Sequence, residues 1–438
     1  MFKQTALVLS ALSLAACQSM APPMATPAAP VAKPAVAATP TPASAAMSTP
    51  AVAAAAAPAP VPAPAPAWQQ GRSATMATST LAPVPGRLTA TPAADIPVAT
   101  YKLPPGFKAE LWASGMPGAR AMARAPNGKI YIGTRAIGRV YEVSDEGSQR
   151  TSRVVVDKLV QPAGVAFANG SLYVMAIDKV LRYDGIHTNP AAAAVDMTAA
   201  FKLPKEQHHN WKYIAFGPDG KLYVPFGAPC NICVPGEEYA QIRRYNADGS
   251  GMEVIARGVR NTVGFTWHPV TQEMWFTDHG RDWMGDEGPE DELNRLSRTG
   301  QNFGFPYCHA NGLADADLKK DKPCEGVTLP VTTMGPHTAV MGTHFYTGNM
   351  FPAEYKNMLF VARKGSWNRT KKSGYDVVAV RMNAEGSNAK VEPFMTGFLN
   401  PANDSFSGRP VYMLQLPDGS MLVSDEQLGA IYRISYAR

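Results

Sequence analysis

From residue 98 onward, short apolar runs alternate with tight polar turns, and one unit of this kind recurs six times. The clearest copies open on a Pro-(Asn/Asp)-Gly turn, enter an apolar strand, cross a loop and return through a second strand. The copies fall at 125–135 with 138–143, 168–178 with 179–183, 217–227 with 241–246, 268–280 with 291–297, 350–365 with 375–382, and 416–427 with 430–435. Repeats of roughly 40–50 residues built from short strands predict an all-β fold, a six-bladed β-propeller of four-stranded antiparallel sheets over 98–438. The spacing lengthens in 280–345 and 365–410. Those excesses are expected to be loops, where a rigid scaffold carries its sites. No long amphipathic helical pattern and no G-x-G-x-x-G fingerprint after a strand is found, which argues against nicotinamide and flavin folds.

The first hundred residues follow a different logic. Lys3, an apolar run and small residues ahead of Cys17 read as a lipoprotein signal peptide over 1–16. Leu14-Ala15-Ala16-Cys17 resembles a bacterial lipobox, which makes Cys17 the lipidated first mature residue. An ordinary signal peptide with Cys17 incidental is the alternative. Gln18 and Ser19 follow, without an Asp at the second mature position, so outer-membrane anchoring is expected, with the domain in the periplasm or at the surface. Residues 17–97 are dominated by Ala and Pro and are expected to form a disordered tether without a core of their own.

That segment inflates the 45% hydrophobic fraction and the count of 39 prolines, so whole-chain averages say little about the folded part. The net charge of +6 is modest, and no Lys/Arg block with interleaved aromatics marks a nucleic-acid surface. Setting Cys17 aside leaves Cys230, Cys233, Cys308 and Cys324, an even number that favours disulfides in an exported chain. The preferred pairing of three is Cys230–Cys233 with Cys308–Cys324. Zinc is the sharper alternative, but the second pair lacks close-spaced ligands. Cys233 is followed by Val234 and not His, which excludes a c-type haem attachment.

Candidate chemistry concentrates between His209 and Asn294. His209 precedes a GPDG turn, Arg260 and Asn261 lie in GVRN, and a Gly-rich acidic loop follows Asp278. A histidine moves protons near neutral pH, an arginine holds developing negative charge, and a glycine loop can present carbonyls to a cation. In this order and register, over roughly 100–437, the chain resembles the PQQ-dependent soluble glucose dehydrogenase family, and more closely its L-sorbosone and pyranose dehydrogenase branch. TDHGRDWMGDE with DELNRL and NFGFPYC behind it are the most specific elements.

The resemblance implies a periplasmic, membrane-anchored oxidoreductase of a sugar or related aldehyde or alcohol, with PQQ and Ca²⁺ as cofactors and an external electron acceptor. His209 falls where the family places its base, with His208 as rival, and Arg260 where it places the arginine beside the reactive quinone carbonyl. Asn261 matches a cofactor contact. Backbone carbonyls of Gly280 and Arg281 match the calcium site, while most acidic side chains of that loop are expected to face water. Arg409, Lys364 (or Arg363) and Arg135 are the candidate partners of the quinone carboxylates. Asn231, Trp211, Trp283, Trp367 and Tyr307 are weaker candidates near the cup.

Two departures withdraw the glucose-specific version. An aspartate that supports the family histidine is here Ala228, so another group must orient His209, and a glutamine near the Arg-Asn pair is here Val263. Two other classes compete with the dehydrogenase. A calcium-dependent propeller hydrolase or lactonase would use the strand-end carboxylates Asp178, Asp278 and Asp425. A non-catalytic envelope lipoprotein would use the propeller as a binding platform.

Overall fold

The computed structural model describes residues 66–144, 150–204, 206, 208, 209 and 211–437. The signal peptide, Cys17 and the tether up to residue 65 lie outside the described residues.

Six four-stranded antiparallel sheets follow one another along the chain, as the repeats predict. The first blade is Ala119–Arg124, Ile130–Thr134, Val140–Val143 and Ser152–Val156; the second is Gly164–Ala168, Ser171–Met175, Val180–Asp184 and Ala194–Asp196. The third is Ala215–Phe216, Leu222–Phe226, Gln241–Tyr245 and Glu253–Arg257, to which Gln301–Asn302 adds a short parallel strand. The fourth is Gly264–Trp267, Met274–Asp278, Glu290–Leu296 and Thr332–Pro336, and the fifth is Val340–Phe345, Leu359–Arg363, Asp376–Arg381 and Lys390–Met395. The sixth joins Pro410–Gln415, Met421–Asp425 and Ala430–Tyr436 to Phe107–Ala113 from the other end of the domain. Phe107 pairs with Tyr436 and Leu111 with Tyr432, which closes the ring.

Burial explains why the repeats are visible. The second strand of each blade is sandwiched between neighbours, so IYIGT, SLYVM, LYVPF, MWFTD and MLVSD are buried at every position and LFVAR of the fifth blade at all but Arg363. Continuous apolar runs are what a strand covered on both faces requires. Outer strands meet water, as in Ala194–Asp196, which is exposed throughout.

The structure departs from the expected tether. Residues 66–97 lie against the propeller, with short 3-10 turns at Ala67–Gln69, Ala74–Met76 and Ala93–Asp95, and with Thr91 and Ile96 buried. This stretch has no core of its own, but it carries Trp68, Arg72 and Ile96, and each finds a surface to pack on. Both disulfides form in the preferred pairing, Cys230 with Cys233 and Cys308 with Cys324.

Candidate active site

One blade device places two arginines. Asp278 ends the second strand of the fourth blade, and its carboxylate accepts the backbone N–H groups of Arg260 (2.8 Å), Asn261 (2.6 Å) and His279 (3.1 Å). Asp425 does the same in the sixth blade for Arg409 (2.9 Å), Gln427 and Leu428. In each case the arginine sits just ahead of the blade's innermost strand, and both arginines line one cavity of about 360 Å³. The strand-end aspartates are therefore committed to backbone donors, and Asp178 is exposed. This is not the carboxylate ring that the hydrolase alternative needs.

Of the eight residues expected to make up the chemical site, seven line this cavity: His209, Arg260, Asn261, Gly280, Arg135, Lys364 and Arg409. Arg281 is the exception, because its side chain turns away to Asp315 (2.8 Å) and Asp317 (2.9 Å). Trp211, Trp367 and His208 also contribute to the wall. Trp283 is fully buried, and like Asn231 and Tyr307 it does not line the cavity.

His209 is buried, with φ of +54°, and its Nδ1 lies 3.1 Å from the carbonyl oxygen of Ala228. A carbonyl only accepts, so Nδ1 carries the proton and Nε2 holds the lone pair. The group that replaces the missing aspartate is thus the main chain of the substituted residue itself. Burial, then His208, Arg260 and His279, hold the imidazole well below 6.5, which keeps it neutral at neutral pH. Ala228 N–H in turn donates to the Arg260 carbonyl at 2.8 Å, so the main chain of this one residue holds both His209 and Arg260. His208 is pushed down to about 4 by burial, and its buried Nε2 has no hydrogen-bond partner among the described residues.

Every nitrogen of the Arg260 guanidinium has an acceptor. Nε donates to the Asn231 carbonyl (3.0 Å), Nη1 to the Gly280 carbonyl (2.9 Å), and Nη2 to Asn231 Oδ1 (2.8 Å) and Asp282 (3.1 Å). Asn231 is held inside the Cys230–Cys233 loop and also accepts from Asp282 N–H at 2.8 Å. Asn261 Nδ2 donates to His279 Nδ1 at 2.8 Å, because the other ring nitrogen of His279 donates to the Val340 carbonyl. That leaves Asn261 Oδ1 buried without a partner among the described residues.

On the other side, Glu426 gathers cations. It pairs with Arg120, with Lys364 at 3.5 Å and with Arg409 at 3.8 Å. Burial works to raise the Glu426 carboxyl, but Lys364, Arg120, Arg409 and Arg135 together hold it far below the usual range. Burial drives Lys364 well below 10.5 against the pull of Glu426, and burial beside Arg120 lowers Arg135 to about 10. Arg135 lies over the Trp211 ring at 3.9 Å and donates to Gln161.

Sequence reasoning missed Glu426, Arg120, His279 and Asn368, and it turned most carboxylates of the acidic loop to water, whereas Asp282 pairs with Arg260 and Asp291 and Glu292 are buried among backbone donors. Glu426 follows the strand-end Asp425, and His279 and Asp282 stand inside the acidic loop motif, so their positions were visible but their direction was not. Asn368 donates to Asp282 at 2.6 Å from a loop in the fifth blade, a link only the ring supplies.

Comparison with known proteins agrees in extent with the motif reading. An uncharacterised protein of Borreliella burgdorferi is 31% identical over 359 residues, covering 79% of this chain and 93% of that one. Among solved structures, the holo form of the pyranose dehydrogenase PQQ domain of Coprinopsis cinerea matches with a TM-score of 0.63 at 19% identity, over 76% of this chain and 97% of that one. A calcium structure of a Trichoderma reesei carbohydrate-active enzyme of family AA12 matches with a TM-score of 0.64 at 16% identity, over 77% and 97%. The sequence family described as TrAA12-like matches residues 101–437, and the chain belongs to that family.

Proposed function

We propose that the protein is a PQQ-dependent oxidoreductase of a sugar or related aldehyde or alcohol, of the pyranose or L-sorbosone kind, working in the cell envelope from a lipid anchor at Cys17. The observation that carries this reading is the charge around Glu426: four cations, Arg120, Arg135, Lys364 and Arg409, face one carboxylate, and three of them line the cavity. A compact anion with several carboxylates balances that excess, and PQQ has three. The unpartnered Asn261 Oδ1 offers an acceptor to a cofactor N–H in the same cavity. The names of the solved relatives, with family membership, support the same class, and two disulfides suit an oxidising compartment.

Arg135, Lys364 and Arg409 would hold the carboxylates. When bound, the quinone supplies a hydride acceptor. His209 takes the proton of the substrate hydroxyl on Nε2, and the Ala228 carbonyl keeps that nitrogen unprotonated. Arg260 contributes a fixed positive charge rather than a new hydrogen bond, since its nitrogens are already engaged. Electrons leave to an external acceptor.

Calcium in this reading rests on the carbonyls of Gly280 and Arg281, an all-oxygen set that suits a hard cation. Among the described residues no three His, Cys, Asp or Glu side chains cluster as a metal site, so backbone would carry most of the coordination. The ion would share the Gly280 oxygen with Arg260.

The test is to titrate the purified protein with PQQ and Ca²⁺, then assay aldoses and L-sorbosone with an artificial electron acceptor. Saturable quinone binding followed by acceptor reduction is expected. Absence of quinone binding would end the reading.

A further inference from the structure

The segment ahead of the propeller crosses the mouth of the candidate site. At one end it is fastened to the acidic loop and the disulfide loop by four hydrogen bonds. Trp283 Nε1 donates to the Trp68 carbonyl (2.6 Å), Asn231 Nδ2 to that of Gln70 (2.9 Å) and Arg281 Nη2 to that of Gly71 (2.8 Å), while Ser73 N–H donates to the Trp283 carbonyl (3.3 Å). Arg72 lies over the Trp283 ring at 4.3 Å. Gly71 has φ of +69°, and a Cβ there would stand 2.6 Å from Ile232 Cγ2, so the strap is seated too closely for any side chain. At the other end, a Cβ on Gly86 would stand 2.6 Å from that of Ala136, next to Arg135. The strap thus runs from a loop of the fourth blade to a loop of the first, on opposite sides of a six-membered ring.

Trp68 at the first end, and Ala82, Pro83 and Val84 towards the second, form part of the cavity wall. Trp68 meets Trp367, another wall residue, edge to face at 5.8 Å. An indole offers the C–H face of a sugar ring a flat apolar surface with a polar tip. A chain segment that crosses from one rim to the other would obstruct the path of further sugar units.

We propose that residues 66–86 roof the site and restrict it to single sugar units, with Trp68 as a specificity-determining residue. The proposal rests on the oxidoreductase reading above. It assigns to residues 66–86 a role in substrate choice that the propeller alone does not have.

The experiment compares the wild-type protein, Trp68→Ala and Gly71→Val, each loaded with PQQ and Ca²⁺, on glucose, maltose and maltotriose and on galactose and mannose. Selectivity for length is read both as kcat/KM and as quenching of tryptophan emission by the sugars, so that a sugar outside the reaction still reports. Quinone affinity is measured separately, and trypsin cleavage after Arg72 reports on whether the strap is seated. The wild type is expected to favour monosaccharides at least tenfold over the trisaccharide. Both variants should lose most of that preference through KM while quinone affinity stays within about twofold, and Gly71→Val should be cut faster at Arg72. A wild type that takes maltotriose as well as glucose, one that binds no sugar, or variants with unchanged length preference would overturn the proposal. Failure of the wild type to bind quinone would instead strike the underlying reading.

Discussion

His209 is oriented by the main-chain carbonyl of Ala228, 3.1 Å from its Nδ1. The side chain at position 228 is therefore dispensable to the base, while its peptide is not. Ala228→Gly should keep turnover within a few-fold. Ala228→Asp, which restores the carboxylate of the glucose dehydrogenase pattern, should not raise activity. It would bury a charge at a site with no exposure, at a cost of about 3–5 kcal/mol if unpaired. Thermal unfolding and steady-state kinetics of both variants check this. Removing the proposed base, His209→Ala, should lower kcat by roughly 10²–10⁴-fold with quinone affinity retained.

The pH profile follows from the same burial. A base acts in its deprotonated form, and the folded value of His209 lies well below 6.5. Activity is lost only as pH falls through that lower value, so the acid limb of kcat/KM should lie clearly under pH 6.5. A limb at or above 6.5 would remove His209 from the role.

Gly227 is the point where His209 and Arg260 approach each other. A Cβ there would meet the His209 carbonyl at 2.5 Å, its Cβ at 2.6 Å and the Arg260 carbonyl at 3.0 Å, all backbone or near it. Gly227→Ala should cost about 1–3 kcal/mol of stability and lower kcat more than it raises KM, because both chemical residues shift together. Unaltered kcat would mean that their spacing is not critical.

The cation cradle predicts a graded loss of cofactor. Lys364→Met and Arg409→Gln should each weaken quinone binding about tenfold or more, as expected for charge-assisted hydrogen bonds worth ~1.5–3 kcal/mol. Equilibrium titration measures it, and equal affinity in both variants and the wild type would move the cofactor elsewhere.

Asn231 joins the strap, Arg260 and the Asp282 peptide. Asn231→Ala leaves buried donors of Arg260 and Asp282 without acceptors, at about 1–3 kcal/mol. It should lower thermal stability and also expose Arg72 to trypsin, because the strap loses the bond from Asn231 to the Gln70 carbonyl.

The sequence revealed the middle of each blade and little else of it. Strands such as Ile130–Thr134 and Met421–Asp425 are covered on both faces and so read as apolar runs. Ala194–Asp196 lies in water and Ala215–Phe216 has only two residues, so neither carries a periodic signal. Residues that line the cavity were legible where a motif fixed their register, as for His209, Arg260 and Arg409. Glu426 and Asn368 were not, because Arg120, Lys364 and Asp282 reach them from other blades and no local pattern encodes a meeting across a ring. The strap was misjudged for a related reason. Ala and Pro exclude a core within 66–97, yet they do not prevent Trp68 and Ile96 from joining a core made elsewhere.

The sixth blade takes its outer strand from residues 107–113 and its other three from 410–436. Synthesis supplies these pieces first and last, so a growing chain cannot seal the ring until the strand that ends at Tyr436 has emerged. Arg409 and Glu426 arrive in that same closing step. A partly synthesised chain would therefore present an open horseshoe whose charge cradle lacks Arg409 and Glu426, and acquisition of the proposed anionic cofactor would be a late event that reports on a finished molecule.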